Sequence, residues 1–228
     1  PADAADGLAP WTGVAPTAMP LGGRVPPKAM DTDDIKTVLA NWREAIRRTE
    51  DAGFEICEIH AAHGYLIHQF LSPLTNQRTD AYGGSFENRT RLAREVVMAV
   101  REVWPEKLPL FTRFSSTDWV EGGWDLEQSM ELAQALKPLG VDVIDCSSGG
   151  IVPGANIPVG PEYQVPFARE IRKRGDMATA AVGMITEPKQ AEDILQRGDA
   201  DLIVMARQFL REPYWPLRAA RELGTDLT

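Results

Sequence analysis

Residues 54–91, FEICEIHAAHGYLIHQFLSPLTNQRTDAYGGSFENRTR, decide how the rest of the chain is read. Behind Gly53 the run Phe54, Ile56, Cys57, Ile59 is short and mainly apolar, which predicts a strand over Phe54–Ile59. His60 and His63 follow, three apart. Side chains three apart on a strand face opposite sides of the sheet. For both imidazoles to serve one pocket, the chain must leave the strand at or just after His60. Such a junction belongs at the carboxyl end of a β/α-barrel strand, the end that carries the active sites of these barrels. Tyr65 then adds a phenol that can donate or accept a proton. All three histidines fall between His60 and His68. By spacing alone the pair also fits two zinc ligands or two structural histidines. A zinc site wants a third ligand, and no histidine remains after His68, so no metal site is expected.

At 228 residues the chain suits one sizeable domain, and (β/α)8 barrels typically run to about 250 residues. Twenty-four basic residues against 33 acidic give a net charge of −9, with the two signs interspersed. A nucleic-acid surface would show a clustered basic face, so no nucleic-acid partner is expected. The sequence has no apolar run of about 18 residues and no charged-apolar-small leader, so neither a membrane span nor a signal peptide is expected. Cys57 and Cys146 each lie inside an apolar strand candidate and read as buried free thiols. They fit a reducing compartment, and the cytoplasm is the expected location.

Residues 1–30 are rich in Pro, Gly and Ala and read as loop, with a short hairpin around Thr12–Pro20 and Gly23–Pro27. Residues 31–228 read as βα units. A helix is expected from about Asp31 to Ala52, stopped by Gly53. Further helices are expected over Phe86–Val103, Leu126–Leu139, Tyr163–Lys173 and Pro188–Gln196. They alternate with strands over Leu110–Phe114, Val141–Cys146, Met177–Val182 and Ala200–Met205. This alternation predicts βαβ units and a parallel sheet. The strand count is five, where a closed barrel needs eight.

The stretch HAAHGYLIHQFLSPLTNQRTDAYGGSFENR resembles the signature of the Old Yellow Enzyme family of FMN-dependent ene-reductases. The His-x-x-His pair is similar to the bacterial branch rather than the yeast-type His-x-x-Asn branch. The resemblance implies a (β/α)8 barrel of which this single domain, residues 1–228, supplies the C-terminal two-thirds, about five strand-helix units. It implies FMN as cofactor, NADPH or NADH as reductant, and an enone or nitro compound as substrate, reduced at its activated C=C bond. His60, His63 and Tyr65 would then be the catalytic residues, the histidines holding the substrate oxygen and Tyr65 delivering a proton, a packing aromatic at the pocket wall being its alternative role. Arg113 would face the flavin's N1–C2 carbonyl edge, a structural ion pair being the plainer alternative. Ser147, Gly149, Gly183, Ala206 and Arg207 would hold the ribityl chain and phosphate, with Ala206 standing where many relatives have Gly. Arg78, Asp80, Asn88 and Arg89 read as scaffold, and Trp119 and Trp124 as loop packing.

An open five-stranded sheet would leave two bare parallel edges and one uncovered face. The resemblance therefore implies a second polypeptide carrying the first three strands, or a longer parent chain, and a homo-oligomer. A break would fall in the loop at residues 1–10. Iron–sulfur relatives such as 2,4-dienoyl-CoA reductase and trimethylamine dehydrogenase carry clustered cysteines, which two separated cysteines do not supply. The reading from a different class is a non-catalytic flavin-binding or interaction half-barrel.

Overall fold

The computed structural model describes residues 12–20 and 25–225. Two short strands, β1 (Val14–Ala15) and β2 (Lys28–Ala29), precede helix α1 (Thr32–Asp51). Strand β3 (Cys57–Ala61) leads into the short α2 (Leu66–Leu71) and then α3 (Phe86–Arg101). The units β4 (Leu110–Ser115) and α4 (Leu126–Leu136), β5 (Val143–Ser147) and α5 (Val165–Arg174), and β6 (Ala178–Ala181) and α6 (Pro188–Gln196) follow. Strand β7 (Leu202–Ile203), α7 (Arg207–Arg211) and α8 (Trp215–Leu223) close the described chain.

Strands β3 to β7 form one parallel sheet in sequential order, the arrangement expected of consecutive βα units of a barrel. The helices start and stop for local reasons. Asp31 caps α1 through the amides of Asp33 and Asp34, and Asp34 reciprocates on the Asp31 amide in a capping box. Ser85 caps α3 and Asp125 caps α4. Period-two alternation splits the sheet residues between two faces. One face (Cys57, Ile59, Leu110, Phe114, Ile144, Cys146, Ala181) joins the core with Leu92, Val96, Leu132, Ile171 and Ile194 from the helices. The other face carries Glu58, His60, Phe111, Arg113, Ala178 and Leu202, which are exposed or half-buried, together with Val143, Asp145, Ser147 and Ala180, which are buried.

Several expectations need correction. The segment before α1 is no hairpin: β1 and β2 pair in parallel, Val14 opposite Lys28 and Ala15 opposite Ala29. The Arg78 guanidinium holds this pair by bonding both Pro16 O (2.9 Å) and Met30 O (2.6 Å). Gly23 and residues 1–10, including the expected break, lie outside the described residues.

Strand β3 starts at Cys57 because pairing with β4 begins there, leaving Phe54 and Ile56 exposed. The fifth strand keeps only Leu202–Ile203, as an edge strand with a ladder on one side; the Asp201 and Val204 amides extend that ladder to Thr179 O and Ala181 O. Helix α5 begins at Val165, with Pro166 in its first turn, so Tyr163 and Gln164 precede it. Helix α4 ends at Leu136 and passes into a single 3-10 turn over Lys137–Leu139. Cys57 and Cys146 are free and buried, and burial raises both thiols above their ordinary range. Among the described residues no helix is long and apolar enough to cross a membrane.

Candidate active site

The carboxyl end of β3 is where the chain departs from the sheet. The strand ends at Ala61, and His63 takes a left-handed backbone at φ 58° with Gly64 following at φ 75°. Non-glycine residues rarely adopt this conformation, and a left-handed histidine near a sheet end is worth explaining. The loop after β5 explains it. A Cβ on Gly64 would stand 2.2 Å from Gly150 O, and one on Gly150 would stand 2.3 Å from His63 C, so the two backbones touch. Ser115, at the end of β4, joins them: it accepts from the His63 amide (2.9 Å) and donates to Gly149 O (2.7 Å). The turn that brings His63 beside His60 is thus held by two neighbouring strand ends.

The result is a cluster. The His60 and His63 rings have centroids 5.1 Å apart, and Tyr65, the residue before α2, stands 5.4 Å from His60. His60 is the lateral neighbour of Arg113 on β4, and Arg113 that of Asp145 on β5. One row across three strands therefore reads imidazole, guanidinium, carboxyl. Burial depresses both imidazoles, with the Arg113 cation adding to it, and holds His63 down to about 4. Both shifts favour the neutral ring.

Arg113 Nε lies 3.4 Å from Asp145 Oδ2, outside good hydrogen-bond geometry; that nitrogen and both Asp145 oxygens are buried without a partner among the described residues. Burial raises the Asp145 carboxyl well above the usual carboxylate range; the Arg113 cation opposes this and Glu58 adds to it.

The third histidine does different work. His68 is fully buried; its Nδ1 accepts from the Gly64 amide (3.0 Å), and its Nε2 lies 3.0 Å from Asp118 Oδ1. Burial disfavours the Asp118 charge, yet His68, Ser72 and the Trp124 amide together outweigh it and hold the carboxyl below its ordinary range. This network braces the Gly64 turn from beneath.

The other expected positions lie on successive strand ends: Ser147 as the last residue of β5 with Gly149 just beyond it, Gly183 after β6, and Ala206 with Arg207 at the start of α7. Gly149 and Gly183 have φ of 73° and 126°. The Gly149 amide is already bonded to Thr117 O at 2.8 Å. Ser147 Oγ lies 2.6 Å from His63 Nε2, tying the end of β5 to the turn after β3. Arg78, Asp80, Asn88 and Arg89 are scaffold as expected, since Arg78, Asn88 and Arg89 mainly hold backbone carbonyls and Asp80 pairs with Arg78. Trp124 is core, stacked on Phe86, while Trp119 packs on Phe167.

Ser115, Asp145, Glu58 and Gln164 were not singled out from sequence. The first three could have been: they share the inward face with Arg113, Ser147 and His60 by period two. Gln164 carried no such signal, being a polar residue in a loop.

A parallel β/α sheet brings a histidine pair, a phenol and a half-buried arginine together at its carboxyl ends, the end that carries the active sites of β/α barrels. The profile of the NADH:flavin oxidoreductase / NADH oxidase family matches residues 12–226, and the chain belongs to that family. It is 51% identical over 215 residues to an NADPH dehydrogenase of Halalkalibacterium halodurans, covering 94% of this chain and 63% of that protein. An NADPH dehydrogenase of Bacillus subtilis is 50% identical, with 88% and 59% covered.

Among solved structures, morphinone reductase in complex with tetrahydroNAD superposes with a TM-score of 0.76 at 29% identity, covering 96% of this chain and 61% of that one. A 2-naphthoyl-CoA reductase complex gives 0.86 at 30%, covering 92% and 33%. The chain thus spans less than two-thirds of the length of these relatives. The Old Yellow Enzyme resemblance and the partial (β/α)8 barrel are borne out.

FMN is this family's flavin and NAD(P)H its reductant. The residues present fit FMN on one observation. Arg113, beside His60, has a buried Nε that makes no hydrogen bond among the described residues and only a loose 3.4 Å ion pair with Asp145, as suits a cation with donor capacity left for a further acceptor.

Proposed function

We propose that this chain is part of an FMN-dependent, NAD(P)H-driven ene-reductase acting on activated C=C bonds of α,β-unsaturated carbonyl or nitro compounds. The observation that carries the reading is the His60–His63 pair with Tyr65 at one strand end, next to Arg113, whose buried Nε makes no hydrogen bond among the described residues. Two neutral imidazoles offer N–H donors to a substrate oxygen and draw electron density from the conjugated double bond. Tyr65, mostly exposed at the mouth, would deliver the proton to the α-carbon. FMN, when bound, supplies the hydride for the β-carbon. Arg113 would lie against the flavin edge that gains negative charge, with Ser147, Gly149, Gly183, Ala206 and Arg207 along the ribityl chain and phosphate.

The half-exposed inner face and the two edge strands β3 and β7 support a further part of the proposal. The strands that complete the barrel come from a second polypeptide or from the remainder of a longer chain, and the complete protein works in the cytoplasm as a homo-oligomer. The non-catalytic half-barrel has no observation in its favour.

One experiment tests both parts. Residues 1–228 are prepared with and without the polypeptide supplying the remaining strands, and flavin retention and phenol titration are measured. The completed protein should hold FMN and give a charge-transfer band with phenols. His60→Ala/His63→Ala should keep the flavin and lose that band, at about 1.5–3 kcal/mol per lost bond if the ligand is charged. An unchanged titration in the double variant would remove the histidines from the site. Stable flavin binding by residues 1–228 alone would remove the need for added strands.

A further inference from the structure

Gln164 is 3% exposed and stands just before α5 without capping it. Its Nε2 donates to Val182 O at 3.1 Å, which fixes the orientation of the amide and turns Oε1 toward the two serines after β5. Ser148 Oγ donates to that oxygen at 2.6 Å, while Ser147 Oγ lies 3.4 Å from it. Ser147 Oγ is only 2.6 Å from His63 Nε2. A serine hydroxyl has one proton to give, and O–H···O bonds weaken beyond about 3.0 Å. The distant, already occupied Gln164 oxygen is a poor acceptor for it, and the imidazole nitrogen is a good one.

We infer that Ser147, set by Gln164 and Ser148, donates to His63 Nε2 and so selects the Nδ1–H tautomer, leaving Nδ1–H as the donor offered to the substrate oxygen. Ser147 and Gln164 are then positioning residues that act through His63. Ser147 keeps its acceptor lone pairs, so a ribityl hydroxyl can still donate to it. A protonated ring would carry a proton on both nitrogens and erase the distinction; the depressed basicity of His63 keeps the ring neutral and the choice meaningful. The inference rests on the proposed role of His63 as a substrate-oxygen donor, and it adds which nitrogen donates and what chooses it.

The test uses the flavin-loaded protein labelled with 15N at histidine, read near pH 7, with His63→Ala assigning the His63 ring signals. The wild-type spectrum should show a proton on Nδ1 and a bare Nε2. Ser147→Ala should shift His63 toward Nε2–H and weaken phenol binding about three- to tenfold, the worth of one ordinary hydrogen bond. Ser147→Thr, which keeps a hydroxyl, should restore both. A wild-type ring protonated at Nε2 would overturn the inference, as would Nδ1–H persisting in Ser147→Ala. If Ser147→Ala does not fold, the wild-type spectrum alone still decides. An Nδ1–H ring combined with unchanged phenol affinity in His63→Ala would support the tautomer and sink the substrate-oxygen reading.

Discussion

The contact between Gly64 and Gly150 carries a quantitative expectation. Gly64→Ala imposes two costs on the native state. A left-handed backbone costs a residue with a Cβ about 1–2 kcal/mol. The new methyl would also stand 2.2 Å from Gly150 O and 2.9 Å from Gly150 C, where only backbone movement can make room. Overpacking of that kind adds about 1–3 kcal/mol. The sum is about 2–5 kcal/mol. Gly53 supplies the control, with nearly the same backbone (φ 78°) and nothing within 4 Å of a built Cβ. Gly53→Ala should lose only the strain.

The difference between the two variants, about 1–3 kcal/mol, isolates the backbone-to-backbone contact. Urea unfolding of both, in the complete protein, reads it as a lower midpoint with an unchanged slope. Gly64→Ala should also disturb ligand binding, because the turn that places His63 must shift, whereas Gly53→Ala should leave it alone. Equal destabilisation of the two variants, within about 0.5 kcal/mol, would refute the claim that the loop after β5 holds the histidine turn.

Two further expectations concern charge. His63 has a folded-state value near 4, below an ordinary histidine, so between about pH 6.5 and 4 the unfolded chain binds the proton the native state refuses. Stability contributed by neutral His63 is therefore full above about pH 6.5 and is lost as pH falls toward 4. The loss is about 1–2 kcal/mol once the ring's partial exposure is allowed for, and His63→Gln should flatten that part of the profile. Arg113→Leu should lower the reduction potential of the bound flavin, since the reduced form loses its nearby cation, and should deprive buried Asp145 of the guanidinium 3.4 Å away. An unchanged potential would return Arg113 to the role of a structural ion pair with Asp145.

The sequence by itself determined the order and kind of the elements. Apolar runs behind Gly53, Pro109, Gly140 and Gly198, alternating with capped amphipathic stretches, admit little besides consecutive βα units, because each pattern has its own period and its own stop signals. It also marked His60, His63 and Tyr65, since two histidines three apart serve one pocket only where the chain leaves the strand, though it carried no sign of the short helix α2 that follows. What it left open were contacts between residues far apart in the chain.

That His63 can hold a left-handed backbone depends on Gly150 and Ser115, 87 and 52 residues further along. Which ring nitrogen it presents, on the inference above, depends on Ser147 at the end of β5 and Gln164 just before α5. The parallel pairing of β1 with β2 depends on Arg78 reaching back to Pro16 and Met30. Local periodicity constrains a residue's own dihedrals and the face it occupies. It carries no information about which distant carbonyl or hydroxyl will stand opposite, and that is decided only when the parallel strands bring their carboxyl ends together.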